Sequence, residues 1–171
     1  MSAAADPVLQ PFKLEHLALR NRIMSTAHTS AMGDGEGMPV DRYQACQEEK
    51  EKGGIGLTMF GGSSNVSIDS PSIMPQLNLG IARPAPHLRR IAERVHPQGS
   101  AVMVQITHLM RRGAFSMDAH LPIIARSPIR ETLHRSIPKE MDEFDIKRVM
   151  GDYVACALRC RDTGLSARCT T

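Results

Sequence analysis

Three short stretches hold the residues whose types could do chemistry, and each comes at the end of an apolar run. Ala27-His28-Thr29-Ser30 offers main-chain groups, an imidazole and two hydroxyls. In Phe60-Gly61-Gly62-Ser63-Ser64 the glycines let a ligand come close to the main chain, because they carry no Cβ. Gln105-Ile106-Thr107-His108-Leu109-Met110-Arg111-Arg112 begins with a carboxamide inside an apolar run. Such a group is costly to bury unless it is paired, and it offers a ligand both a donor and an acceptor. Hydroxyl, carboxamide and free main-chain groups are what a planar heterocycle with carbonyl and N–H edges needs. Each stretch also has a plainer reading: a polar loop, a turn, and a glutamine satisfied by neighbouring main chain.

Other chemistries find less support. The glycine spacing is not that of a phosphate-binding G-x-G-x-x-G, and no helix follows it. No G-x-S-x-G nucleophile elbow occurs. The seven histidines form no H-x-x-x-H pair, so no metal site and no catalytic acid or base is assigned. The four cysteines contain no C-x-x-C; Cys156 and Cys160 share a helical face and read as small apolar fillers.

The elements that must position these stretches alternate. Val8–Arg20 reads as a small hairpin, or a strand with a turn at Glu15-His16, and residues 23–27 as a short strand. Asp41 is expected to cap a helix to about Lys52, with Glu48 and Lys52 in the favourable i,i+4 order. Residues 55–60 form an apolar run that suits a strand buried on both faces. A long loop, 61–83, leads to a helix opened by Pro84 and Pro86 and carrying Leu88, Ile91, Ala92 and Val95 on one face. Residues 101–106 form the next strand, and 107–140 a long excursion. Asp142 is expected to cap the last helix, whose apolar period runs through Ile146, Val149, Met150, Tyr153, Val154, Ala157 and Leu158 before Thr163-Gly164 ends it. Alternation of this kind predicts an α/β fold with a parallel sheet, either doubly wound or a barrel. In both, ligands sit at the carboxyl ends of the strands, where the three stretches fall.

With 171 residues, one domain is expected. A net charge of +3 is too small to point to nucleic acid or an acidic membrane, and no run approaches a membrane span. With no leader and sparse cysteine, a reduced, cytoplasmic setting is expected. Oligomeric state stays open.

Taken in order, the segments resemble the old yellow enzyme, or NADH:flavin oxidoreductase, family, including its 2,4-dienoyl-CoA reductase, trimethylamine dehydrogenase and amine demethylase branch. The resemblance rests on Leu9-Gln10-Pro11-Phe12-Lys13-Leu14 with Leu19-Arg20-Asn21-Arg22-Ile23, on Gly54-Ile55-Gly56-Leu57, on Gln105-Ile106-Thr107-His108 with Arg111, and on Pro138-Lys139-Glu140-Met141. It implies that residues 8–165 are the N-terminal part of an FMN-binding (β/α)8 TIM barrel, about three β/α units behind an N-terminal hairpin. By the same resemblance Ala27 and His28 touch the flavin through main chain, Thr29 lies near a flavin carbonyl, Gly62 lies beside the pyrimidine ring, and Gln105 hydrogen-bonds that ring. NAD(P)H is the implied reductant and a small molecule the implied substrate. Met110 departs from the family pattern, which has glycine there.

Residues 1–7 are expected to be a disordered lead. Residues 166–171 show no strand pattern and read as an aberrant tail, as after a frameshift or early stop near codon 166. A complete barrel needs eight strands and roughly 250 residues. Three functions are therefore carried forward: an FMN-dependent oxidoreductase of ene-reductase or N-demethylase type, a truncated inactive fragment that does not hold FMN, and an unrelated α/β binding module.

Overall fold

The structure, a computed structural model, describes residues 6–70, 76–113, 121–133 and 135–170. In chain order its elements are β1 (Phe12–Leu14), β2 (Leu17–Leu19), β3 (Met24–Ser25), α1 (Asp41–Lys52), β4 (Leu57–Phe60), α2 (Ala85–Val95), β5 (Ala101–Ile106), β6 (Ile124–Ala125), β7 (Lys139–Glu140), α3 (Glu143–Asp162) and β8 (Ala167–Thr170). β1 and β2 form an antiparallel hairpin in which Phe12 faces Leu19, turning at Glu15 with φ 51°. β3, β4, β5 and β8 form a parallel sheet in that order, and β6 and β7 pair separately.

Register decides between the two architectures left open by the sequence. Thr58 pairs with Val102, and Phe60 with Val104. The face carrying Phe60, Val102, Val104 and Ile106 packs against Tyr43 of α1, Leu88, Ile91 and Val95 of α2, and Cys156 and Cys160 of α3. All three helices thus cover one face, and the strands follow chain order. A doubly wound sheet would carry helices on both faces and reverse its strand order; a barrel does neither.

Helix α2 follows its sequence pattern: Leu88, Ile91, Ala92 and Val95 are all buried. Each large apolar side chain so buried contributes about 1.5–3 kcal/mol. Helix α1 has a polar buried face instead. Gln44 donates to the Pro39 carbonyl (2.8 Å), Gln47 accepts from the Thr58 hydroxyl (3.1 Å), and Glu51 pairs with Arg20 (3.0 Å). Asp41 is the first helical residue and not the cap. Val40 occupies that position without a side-chain bond, and the Asp41 carboxylate pairs with Arg94 of α2. The Asp142 cap of α3 is present as a reciprocal capping box with Asp145.

Three further expectations need correction. The lead is ordered from Asp6, whose carboxylate accepts from the Val8 amide (2.9 Å) and caps a 3-10 turn at Pro7–Leu9; residues 1–5 lie outside the described residues. The 61–83 segment carries no helix or strand among its described residues, as expected of a loop, yet its Val66, Leu77 and Leu79 belong to the core; its irregular main chain hid them from any periodicity test. The apolar period of α3 joined two different faces. Val149, Cys156 and Cys160 point inward, whereas Ile146, Met150, Val154 and Leu158 form an outward stripe exposed by 42% (Leu158) to 63% (Met150). Finally, the tail contains strand β8, in parallel register with β5 (Met103 with Ala167, Ile106 with Thr170), and Ser166 docks it through bonds to the Val102 main chain. Main-chain pairing along the free edge of β5 needs no side-chain alternation, so a pattern test could not find it.

Candidate functional site

The amino ends of the strands are closed by the hairpin and by two side chains that follow it. Arg20 donates to the carbonyls of Ile55 (3.0 Å), Gln98 (2.9 Å) and Glu51 (2.9 Å) and pairs with the Glu51 carboxylate, whose side chain is fully buried. Asn21 donates to the Gly54 carbonyl (2.7 Å) and accepts from the Ile23 amide (3.1 Å). A Cβ on Gly56 would lie 2.5 Å from the Asn21 carbonyl oxygen, so glycine is required there by close main-chain packing.

At the carboxyl ends the three sequence-selected stretches come together. Thr29 Oγ1 donates to the Gly62 carbonyl (3.4 Å). A Cβ on Gly62 would lie 2.6 Å from the carbonyl carbon of His28, so the first and second loops touch main chain to main chain. Gly61, at φ 95°, lies against the Gln105 carbonyl oxygen, 3.0 Å from where its Cβ would be. The ends of β3, β4 and β5 that carry Thr29, Gly62 and Gln105 therefore adjoin one another, and Ala27 is half-buried. The packing gives Gly62 a structural reason to be glycine that does not involve a ligand.

Gln105 is not sealed inside an apolar strand as the sequence suggested. In β5, Val102, Val104 and Ile106 face the helices, while Ala101, Met103 and Gln105 lie on the opposite face and are only half-buried. Among the described residues its amide has no hydrogen-bond partner. The deeper polar groups here are ones the sequence did not single out. Tyr43 of α1 accepts from the Gly61 amide (3.0 Å), which fixes the second loop. Burial pushes its phenol well above the ordinary value, with the Gly61 bond opposing, so it stays protonated.

A second polar cluster lies behind the third stretch. His108 and Asp69 are both buried, with His108 Nε2 3.2 Å from Asp69 Oδ1. His108 Nδ1 accepts from the Met110 amide (3.1 Å), so the ring proton sits on Nε2 and is donated to Asp69. Arg148 of α3 pairs with the other Asp69 oxygen, and the Ser67 hydroxyl donates to Asp69 (2.5 Å). Burial alone would raise the pKa of Asp69, but bonds from His108, Arg148 and Ser67 outweigh it and hold the carboxyl well below the usual carboxylate range. Helical neighbours of Asp142 could have suggested a role for Arg148; nothing in the sequence pointed to Asp69, which lies in a loop without period. His108 is a structural residue rather than an exposed catalytic one.

Residues 7–166 match the NADH:flavin oxidoreductase / NADH oxidase family. The chain belongs to this family. A multifunctional alkene reductase/demethylase of Caballeronia cordobensis is 54% identical over 164 residues, which cover 96% of this chain and 24% of that protein. A probable N-methylproline demethylase of Rhizobium meliloti is 41% identical over 160 residues, 94% of this chain and 24% of that protein. The chain thus spans about a quarter of the length of these relatives. Among solved structures, old yellow enzyme from Pichia sp. AKU4542 superposes with a TM-score of 0.90 at 17% identity, over 98% of this chain and 46% of that one; this shows the fold alone. The fold is accordingly an α/β portion of the old yellow enzyme barrel, and the family's cofactor is FMN with NAD(P)H as reductant.

The residues present fit such a group. Planar ring recognition needs donors and acceptors at one strand-end surface. The Thr29 hydroxyl, the main chain at Ala27 and His28, and the Gln105 amide lacking a partner among the described residues would supply them. No described helix is long and apolar enough to cross a membrane.

Proposed function

We propose that this chain forms the N-terminal part of the FMN site of an oxidoreductase acting on small molecules, of the ene-reductase or N-demethylase type. The observation that carries the reading is the half-buried Gln105, whose amide lacks a partner among the described residues, on the sheet face away from the helices and beside the joined ends of β3 and β4. In this reading Gln105 hydrogen-bonds the pyrimidine end of the ring, Ala27 and His28 meet it through main chain, Thr29 stands near a ring carbonyl, and Gly62 brings the second loop close. Bound FMN supplies hydride transfer, from NAD(P)H to an activated alkene or, in the demethylase sense, from an N-methyl amine. The protein's part is to orient the ring and to stabilise charge at its pyrimidine end.

Flavin titration tests this. Free FMN fluorescence should be quenched on adding the purified protein, and Gln105→Leu should weaken the affinity by about tenfold, the value of one good hydrogen bond to a ring that gains charge. Equal quenching by both proteins would exclude the role of Gln105.

A second reading has its own observation. The inner side of the sheet and hairpin leaves Phe12 (40%), Leu14 (38%) and Met24 (46%) exposed around a hollow of about 270 Å³. Exposed apolar surface of this kind favours association over ligand binding. In that case the purified chain is colourless, self-associates and quenches no flavin.

A further inference from the structure

Met110 adopts φ 51°, a left-handed main-chain conformation that a residue with a Cβ disfavours. It opens the 3-10 turn Met110–Arg112 directly after the third stretch. Something must hold it there, and three consecutive amides are in fact held by side chains, two of them from distant parts of the chain. The His108 amide donates to the Tyr153 hydroxyl of α3 (2.8 Å), the Leu109 amide to Ser70 Oγ (2.6 Å), and the Met110 amide to His108 Nδ1 (3.1 Å). The last of these works only if the His108 ring keeps its plane and its proton on Nε2. Asp69 enforces both, by accepting that proton in a buried site where Arg148 balances its charge. Arg148 Nη1 also donates to Ser67 Oγ (3.0 Å), which closes the loop of bonds.

We propose that Asp69 and Arg148 are positioning residues that act through His108 to clamp the turn at Leu109–Met110 in its left-handed form, and so fix how the third strand-end loop leaves Gln105. The role at the ligand site rests on the flavin reading above; the clamp itself does not. The clamp stands in for glycine: with a Cβ at position 110 the turn is held by outside bonds, and with glycine it would hold itself.

Two readouts on the full chain test this. In native-state amide exchange, Asp69→Asn should speed exchange of the Leu109 and Met110 amides by about tenfold or more, and adding Met110→Gly should restore slow exchange at Leu109. In FMN titration the same pair should show loss and recovery of affinity. Additive effects of Asp69→Asn and Met110→Gly on exchange, with no recovery, overturn the clamp. Should Asp69→Asn not fold, Ser70→Ala leaves the buried charges intact; it should raise exchange at Leu109 alone, and unchanged exchange there overturns the proposal. If the parent chain binds no FMN while the exchange coupling is present, the flavin reading fails and the clamp stands.

Discussion

At the amino ends of the parallel strands Arg20 and Asn21 direct their donors to main-chain carbonyls of two separate segments, 51–55 and Gln98, and Gly56 allows main chain to pack on main chain. At the carboxyl ends of the same strands the main chain is strained. Ala31, Ser63 and Met110, each in the loop after one of the first three parallel strands, take positive φ; at the amino ends, among the described residues, Glu15 in the hairpin turn does so, and no non-glycine residue of the loops leading into β4, β5 and β8 does. The Gln105 amide is left without a partner there among the described residues. One end is built for stability and the other retains strain and unused donors, which is the division expected where a ligand must be met.

The contrast can be broken by substitution. Arg20→Ala should have the largest effect, because it strands the buried Glu51 carboxylate; a loss of about 3–5 kcal/mol is expected, read as a lower urea midpoint. Tyr43→Phe leaves the buried Gly61 amide without its acceptor and should cost about 1–3 kcal/mol in the same assay. Acid should reveal the Asp69 cluster. Its carboxyl is depressed in the folded chain, so its contribution is complete above the unfolded value of about 3.9 and fades as pH falls below that toward the folded value. The stability gap between the parent and Asp69→Asn should therefore be constant from pH 7 to 5 and narrow at pH 3. Smallest of all, Gln105→Leu should change stability by less than about 0.5 kcal/mol, because no bond among the described residues is lost, while flavin affinity falls. A large stability loss from Gln105→Leu would erase the distinction between the two ends.

Met110 shows how sequence and structure divide the work. As a departure from the family's glycine it was visible in the sequence, with only a shifted loop to suggest. The left-handed φ supplies the reason for glycine, and the Asp69–His108 bonds show how the chain manages without it. The three strand-end stretches that carry Ala27, His28, Thr29, Gly62 and Gln105 were legible because strand ends can be found from apolar runs followed by glycine or polar residues. Tyr43, Asp69 and Arg148 were not, because each acts across a long stretch of sequence and only on another residue's main chain or ring.

Local chemistry written in the sequence determined the helices at 85–95 and 143–162, the strand at 101–106, and the order of strand and helix that limits the fold to two architectures. Those features depend on neighbours within a turn or two, where period and capping act. Only the tertiary structure decided that all the helices share one face, that Gln105 lies on the other, that α3 has an outward apolar stripe, and that residues 167–170 pair with β5. Each of these depends on which distant main chain or side chain is already in place, and no local pattern carries that information.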